Sequence, residues 1–320
     1  MYPIRDPQLV TALNNFNQLL PNGIDLDNIP AMRVVFDELF TAMAEQAPPI
    51  DGVITSDHFA SSTGDQPDVL VRIYQPENRT SDILPALLWI HGGGYVLGNI
   101  NGDDLKVKEM TLALNCVIAS VEYRLAPEHP FPAPLEDCYT ALKWLTDNAT
   151  KFGVDAKKIA IGGASAGGGL TAGLALLARD RGEVNIAYQF LLYPMIDDSN
   201  VQQANEDIPD TPVWSRANNL AGWRAYLSDQ FGSDNVSPYA AAIRAEDLSG
   251  LPPTYIGVGT PDLFRNENMC FAQKLIKAGV PTEFHVYPDG FHGFDILAPE
   301  SDIAQRFITE QMTILSQTLS

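Results

Sequence analysis

The chain has 320 residues, of which 45% are hydrophobic and 19% charged, a composition typical of a globular protein with a large core. Aspartate and glutamate total 40, whereas lysine and arginine total 20, so the net charge is −20. A surface this acidic repels phosphate backbones and anionic lipid headgroups. The charge therefore argues against nucleic-acid binding and against electrostatic docking to membranes.

The N-terminus and the cysteines favour a cytoplasmic protein. The first ten residues lack the basic start and apolar run of a secretory signal. No stretch reaches the roughly 18 apolar residues that a membrane-spanning helix needs. Cys116, Cys138 and Cys270 are widely spaced and odd in number, which favours reduced thiols over a disulfide framework. Their spacing also gives no pattern typical of a metal site.

Short apolar runs alternate with helical stretches along most of the chain. Runs buried on both faces are typical of parallel strands, which need crossover helices between them. The alternation therefore predicts an α/β domain with a mostly parallel sheet. Helices are predicted at 9–20, 29–47, 135–148, 168–181 and 266–278, and strands at 69–74, 86–90, 116–121, 159–162, 186–193, 255–258 and 282–287.

A long polar segment, 197–250, interrupts this alternation. It contains one plausible helix at 218–230. Long segments between core elements often form lids or binding loops. We interpret this one as a lid, and a solvated surface excursion is the alternative.

The segment 163–167 reads Gly-Ala-Ser-Ala-Gly and matches the Gly-x-Ser-x-Gly turn that presents a nucleophilic serine. Such a turn is sharp and strained, and side chains two residues either side of Ser165 would clash. An apolar run precedes the motif and a helical stretch follows it, as the turn requires. A phosphate-binding loop would need a lysine after the last glycine, where the sequence has Gly168.

A second glycine-rich segment, His91-Gly92-Gly93-Gly94, follows the predicted strand at 86–90. Glycines after a strand let backbone N–H groups turn toward a bound oxygen. Gly93 and Gly94 are therefore predicted oxyanion donors, together with the amide of Ala166 directly after Ser165. A flexible glycine loop is the alternative. The two motifs, 74 residues apart, would serve the same acyl-transfer reaction.

A nucleophilic serine needs a base, and His292 has the most suitable position. It follows the last predicted strand in a loop with glycine at 290 and 293. The remaining histidines are less suitable. His58 is predicted in an early strand facing solvent, and His91 is expected to hold the glycine loop. His129 lies in a proline-rich turn, and His285 lies inside a strand.

The acid that orients the base should lie between Ser165 and His292, at the end of a strand. Asp262 follows the predicted strand at 255–258 and precedes His292 by 30 residues. Asp289 and Glu267 are competing carboxylates, and Asp262 could instead cap the next helix. We favour Asp262 because it follows a predicted strand and lies between Ser165 and His292 in the chain.

Taken together, these residues resemble the hormone-sensitive-lipase-like carboxylesterases, a bacterial branch of the α/β-hydrolases. The resemblance runs from about Asp68 to Phe294. Four blocks carry it: HGGGYVLG at 91–98, YRLAPEHPFPAPLEDCYTALKWL at 123–145, GGASAGGG at 162–169, and DLFRNE at 262–267 paired with YPDGFHGF at 287–294.

The resemblance implies an α/β-hydrolase fold whose mostly parallel sheet is flanked by helices and covered by a helical cap. It assigns 1–50 to cap helices, 197–235 to a cap insertion, and 51–196 and 236–320 to the core. It implies that Arg124 and Glu128 anchor the loop after a strand.

For the site, the resemblance implies a catalytic triad of Ser165, Asp262 and His292, with oxyanion donors at Gly93, Gly94 and Ala166. Short- to medium-chain acyl esters would be the substrates. No cofactor and no metal would be needed, and the chain would form a homodimer.

Two other functions use the same scaffold. A non-catalytic binding protein would keep the oxyanion glycines and lose the base. His292 is present in its motif, which argues against this alternative. An amidase would use the same triad on a different leaving group.

Overall fold

The computed structural model describes residues 4–62, 64, 66–200 and 207–319. Eight strands in the described residues form one sheet, in the order β1-β2-β4-β3-β5-β6-β7-β8. Strands β3 to β8 run parallel, whereas β2 pairs antiparallel with both β1 and β4. The bounds are β1 Val53–Ala60, β2 Val69–Pro76, β3 Leu84–Ile90, β4 Val117–Glu122, β5 Val154–Ala164, β6 Tyr188–Leu192, β7 Thr254–Gly259 and β8 Thr282–Tyr287.

Helices connect the parallel strands and cover both faces of the sheet, which confirms the predicted α/β architecture. The predicted helix at 218–230 is α7, extended by a 3₁₀ turn at Ser228–Gln230. The bounds are α1 Pro7–Leu19, α2 Ile29–Gln46, α3 Asp104–Leu114, α4 Ala133–Asp147, α5 Ala149–Phe152, α6 Ala166–Arg181, α7 Arg216–Leu227, α8 Arg265–Lys277, α9 Phe294–Leu297 and α10 Asp302–Leu319.

The apolar runs of the central strands are continuous because both faces of the sheet are buried. In β3, Leu88 and Ile90 belong to the core cluster under α4 and α6, whereas Leu87 and Trp89 belong to the cluster under α3 and α10. Alternate side chains of a strand point to opposite faces. Each face of the sheet therefore has its own apolar core, which fixes the register of every central strand.

Several elements were not predicted from the sequence, or not at their full length. Neither α3 nor the C-terminal α10 was predicted, although α10 buries Phe307 and Leu315 on one side. Strand β5 starts at Val154, five residues before the predicted start. The prediction was too short because the first half of the strand is polar and lies largely outside the core, so it gives no apolar run. His58, expected to face solvent, is only partly exposed, since its ring packs against Trp144 and Phe152.

Part of the predicted lid, residues 201–206, lies outside the described residues. No helix in the described ranges is both long enough and apolar enough to cross a membrane. Because β3 and β5 to β8 are parallel neighbours, their carboxyl ends share one edge of the sheet. The loops that carry the predicted site residues all leave from that edge.

Candidate active site

Ser165 lies in the tight turn between β5 and α6, with a backbone φ of +57°. Non-glycine residues adopt this region rarely, and the strain costs about 1–3 kcal/mol. The turn has no room for flanking side chains: a Cβ on Gly163 would lie 2.5 Å from the Gly167 carbonyl carbon, and one on Gly167 would lie 2.1 Å from the Ile90 oxygen. The two glycines are therefore required by packing.

Backbone hydrogen bonds hold the turn in this strained shape. The Ser165 N–H donates to the Leu192 carbonyl at the end of β6, at 2.9 Å, and the Ser165 carbonyl accepts from Met195 N–H. Helix α6 begins at Ala166, so the unpaired N–H groups of its first turn face the serine. The helix terminus thus places partial positive charge beside the hydroxyl.

His292 connects Ser165 to Asp262 through two hydrogen bonds. Its Nε2 lies 2.9 Å from Ser165 Oγ, and its Nδ1 lies 2.9 Å from Asp262 Oδ2. Because a carboxylate only accepts, Nδ1 carries the proton and Nε2 is left to accept from the serine hydroxyl. All three side chains are almost completely buried. The arrangement can remove the hydroxyl proton and stabilise the resulting imidazolium.

Asp262 takes part in two interactions that the sequence presented as alternatives. Its Oδ2 faces His292, while its Oδ1 accepts from the Phe264 N–H at 2.8 Å ahead of α8. The competing carboxylates point elsewhere. Asp289 accepts from the backbone N–H groups of Arg5 and Asp6. Glu267 accepts from backbone N–H groups at 196 and 197.

The glycine loop after β3 passes directly over Ser165. A Cβ on Gly92 would lie 3.4 Å from Ser165 Cβ, and Gly93 and Gly94 both have positive φ. Among the described residues, neither Gly93 nor Gly94 donates its N–H to another loop carbonyl. The Ala166 N–H is likewise unpaired in the first turn of α6. The loop thus brings unused backbone donors to the side of the serine.

Two aromatic edges hold the His292 ring. Tyr193 and Phe264 each contact it edge-on, with ring centroids 4.9 Å apart. Tyr193 donates its hydroxyl proton to Asp295 at 2.7 Å, and Lys106 of α3 pairs with the other Asp295 oxygen at 3.2 Å. Sequence reasoning missed this support. Its only signal was Asp295 itself, an acidic residue three positions after the predicted base.

An apolar cavity of about 140 Å³ opens beside Ser165 and His292. Much of its wall comes from two segments, the N-terminal helices and the stretch at 213–214. Trp214 packs so closely on Gly94 that a Cβ there would lie 2.0 Å from its ring. The apolar side chains that these segments contribute are Phe16, Ile24, Phe36, Leu39, Phe40, Met43, Val213 and Trp214.

The residues expected to anchor the loop after β4 do so with different partners. Arg124 pairs with the buried Asp137 of α4, at 2.7 Å. Glu128 pairs instead with Arg33 of α2, at 2.8 Å. The ring of His91 stacks on Tyr123, with centroids 4.2 Å apart, and its Nδ1 lies 2.8 Å from the Gly92 carbonyl. His91 therefore supports the glycine loop, as expected from the sequence.

Comparison with known proteins agrees with the fold. A family model described as alpha/beta hydrolase fold matches residues 87–296. The chain belongs to the α/β-hydrolase family. Carboxylesterase NlhH of Mycobacterium tuberculosis is 37% identical to the hydrolase over 229 residues, 71% of each chain. This relative places the hydrolase among the hormone-sensitive-lipase-like carboxylesterases, which confirms the resemblance drawn from the sequence.

Two solved structures are similar over nearly the whole hydrolase. A bacterial heroin esterase has a TM-score of 0.93 at 38% identity, covering 100% of this chain and 99% of its own. Esterase LipW from Mycobacterium marinum has a TM-score of 0.87 at 33% identity, covering 98% and 96%. The likeness therefore extends to the segments outside the range that the family model matches.

A buried carboxyl lies behind the site of the hydrolase. Glu267 of α8 accepts from the Ile196 N–H at 2.8 Å and from Asn200 Nδ2 at 2.5 Å. Burial, with the negative charge of Asp197 adding to it, raises the pKa of Glu267 well above its usual range. The raised pKa means that the folded state binds this proton more tightly than the unfolded chain does.

We expect this proton to make stability depend on pH. As the pH rises above the ordinary glutamate pKa of about 4.3, the free energy of unfolding should fall by up to about 1.4 kcal/mol per pH unit, until the pH passes the folded-state pKa. Glu267→Gln lacks this titrating group. The free energy of unfolding of the variant, relative to that of the native chain, should therefore increase as the pH rises. Urea unfolding of both proteins from pH 4.5 to 8 tests this, and a pH-independent difference would contradict it.

Proposed function

We propose that the protein is a carboxylesterase that hydrolyses short- to medium-chain acyl esters, with Ser165, His292 and Asp262 as its catalytic triad. The observation that carries the proposal is the buried pair of 2.9 Å hydrogen bonds joining these three side chains. Ester hydrolysis is the activity in the names of NlhH and of both solved structures.

In the first half of the reaction, Ser165 Oγ attacks the ester carbonyl carbon while His292 Nε2 accepts the hydroxyl proton. Asp262 keeps the proton on Nδ1 and stabilises the imidazolium. The carbonyl oxygen becomes an oxyanion, which the N–H groups of Gly93, Gly94 and Ala166 stabilise. Collapse of the tetrahedral intermediate breaks the bond to the alcohol oxygen, which takes its proton from His292 and leaves an acyl-serine.

The second half repeats these roles with water as the nucleophile. His292 accepts a proton from the water as it attacks the acyl carbon, and the same N–H groups stabilise the second oxyanion. Ser165 then leaves with the proton from His292, and the carboxylic acid is released. Each proton taken by His292 is thus returned within the same half-reaction, so no cofactor is needed.

The size of the cavity supports a small acyl group. A dry cavity of about 150 Å³ is large enough to hold benzene, and the cavity beside Ser165 has about 140 Å³. Its apolar wall favours an alkyl or aryl group over a charged one. We assign residues 1–50 and 197–235 to a cap over the core, because the apolar wall side chains of the cavity come largely from these segments.

Kinetics of p-nitrophenyl esters from acetate to palmitate test the proposal. We expect turnover to peak at short acyl chains and Ser165→Ala to abolish it. Asp262→Asn should lower kcat by about 10⁴-fold, because the wrong tautomer of the base is then favoured.

Asp289→Asn is the matched control and should keep nearly native kcat, since in the described part of the chain its carboxylate accepts from the backbone N–H groups of Arg5 and Asp6 and not from His292. Folded protein that turns over none of the esters would contradict the proposal and favour a binding function. Turnover of anilides at rates comparable to those of the esters would favour an amidase.

We also propose that the protein is cytoplasmic and forms a homodimer through β8. Three free cysteines support the location. Strand β8 supports the interface, since it ends the sheet and leaves Val286 39% exposed. Sedimentation equilibrium should give twice the chain mass of 34.9 kDa. A single species at the chain mass would contradict the dimer.

A further inference from the structure

One arginine of the N-terminal helices binds the core at three places. Arg33 of α2 donates from Nε to the Val96 carbonyl at 2.8 Å and from Nη2 to the Ala126 carbonyl at 2.8 Å. The same guanidinium forms a bidentate pair with Glu128, with distances of 2.9 and 2.8 Å. Four of its five N–H donors are therefore used, and its side chain is only 26% exposed.

The Val96 carbonyl belongs to the turn that carries the proposed oxyanion donors. The N–H groups of Val96 and Leu97 both donate to the Gly93 carbonyl, at 3.1 and 2.8 Å. Orienting the Val96 peptide therefore also orients the turn that starts at Gly93. The Gly93 and Gly94 N–H groups must lie about 2.7–3.1 Å from the oxyanion to stabilise it. A small tilt of the turn would lengthen these distances.

Helix α2 also forms a wall of the cavity, although it is weakly packed on the core. It places Phe36 and Phe40 at the cavity, and Met32 is its one buried residue. A second polar contact joins it to the same loop, since Asn99 Nδ2 donates to Asp37 Oδ1 at 2.7 Å. Polar contacts to the glycine loop thus supply much of what holds this wall in place.

We propose that Arg33 is a positioning residue that couples the acyl wall to the oxyanion turn. When the wall is displaced, the bond from Nε to the Val96 carbonyl is strained and the oxyanion donors move with it. The fit of the acyl group against α2 therefore affects kcat as well as KM. This inference rests on the proposed ester hydrolysis at Ser165.

The bonds to carbonyls and the bond to Glu128 should have different effects. The Glu128 carboxylate is about half exposed, so its pair with Arg33 contributes little to stability, whereas the bonds to the Val96 and Ala126 carbonyls are part-buried. Arg33 correspondingly lowers the pKa of Glu128. The Val96 bond alone reaches the oxyanion turn. A test can therefore separate the two contacts.

The experiment compares Arg33→Ala, Arg33→Lys and Glu128→Gln. Arg179→Ala is the matched control, because Arg179 also bonds two backbone carbonyls and a carboxylate, at Asp247, Ser249 and Asp180, and does not line the cavity. A phosphonate that labels the nucleophilic serine counts active sites, so that kcat is expressed per functional site. Substrates are p-nitrophenyl acetate and p-nitrophenyl hexanoate.

We expect Arg33→Ala to lower kcat on the acetate by about tenfold, less than the 10²–10³ lost when an oxyanion donor is removed outright. KM for the hexanoate should rise relative to that for the acetate. Lysine cannot reproduce the planar fork, so Arg33→Lys should lose nearly as much kcat as Arg33→Ala. Glu128→Gln should change the melting temperature little and keep kcat within about threefold, since an exposed pair contributes little.

The inference is overturned if Arg33→Ala and Arg33→Lys keep native kcat per titrated site and the native acetate-to-hexanoate ratio. Equal kcat losses in Glu128→Gln and Arg33→Ala would also overturn it, because the ion pair would then explain the effect. If Arg33→Ala does not fold, Arg33→Lys and Glu128→Gln decide the question. Wild-type protein without turnover would instead contradict the proposed function.

Discussion

The strained turn at Ser165 is the constraint on which the site depends. Its positive φ lifts the hydroxyl clear of β5, and two glycines let the turn fit under the end of β3. Strain of about 1–3 kcal/mol persists only where the surroundings determine the conformation. Here the end of β6 and the residues after it do so, through hydrogen bonds to both backbone groups of the serine.

The parallel sheet then brings the other groups to the same place. The glycine loop follows β3, Asp262 follows β7 and His292 follows β8, and all of these strands end at one edge. Residues separated by more than a hundred positions in sequence meet there because each crossover helix returns the chain to the opposite edge. The central strands position the chemistry, and segments outside the sheet shape the pocket in front of it.

Much of the site could be predicted because its chemistry requires unusual local sequence. The glycines around Ser165, after His91 and beside His292 are visible in a single sequence. They indicate the site because the tight turns at these positions leave little room for a side chain. The sheet could be predicted for a related reason: strands buried on both faces must be apolar throughout, as in β3. Position at the end of a strand favoured Asp262 over Asp289, and the family resemblance implied the same residue.

What could not be predicted depends on pairing between distant elements. The contacts of Arg33 with Val96 and Glu128, and of Lys106 with Asp295, join ordinary charged residues whose partners lie far away in sequence. Nothing in the local pattern around Glu128 indicates a partner on α2. Helix α10 has an apolar stripe but carries no motif that links it to the site. Polar contacts of this kind set the geometry around Ser165, His292 and Asp262 without a local sequence signature.

As the proposed nucleophile, Ser165 should form a covalent bond to the acyl group during turnover. Mass spectrometry after treatment with diethyl p-nitrophenyl phosphate tests it most directly, because the phosphoryl group stays on the nucleophile that the base activates. We expect one diethylphosphoryl group per chain, on the peptide that contains Ser165, and none in Ser165→Ala. Labelling at another residue, or equal labelling of Ser165→Ala, would contradict it.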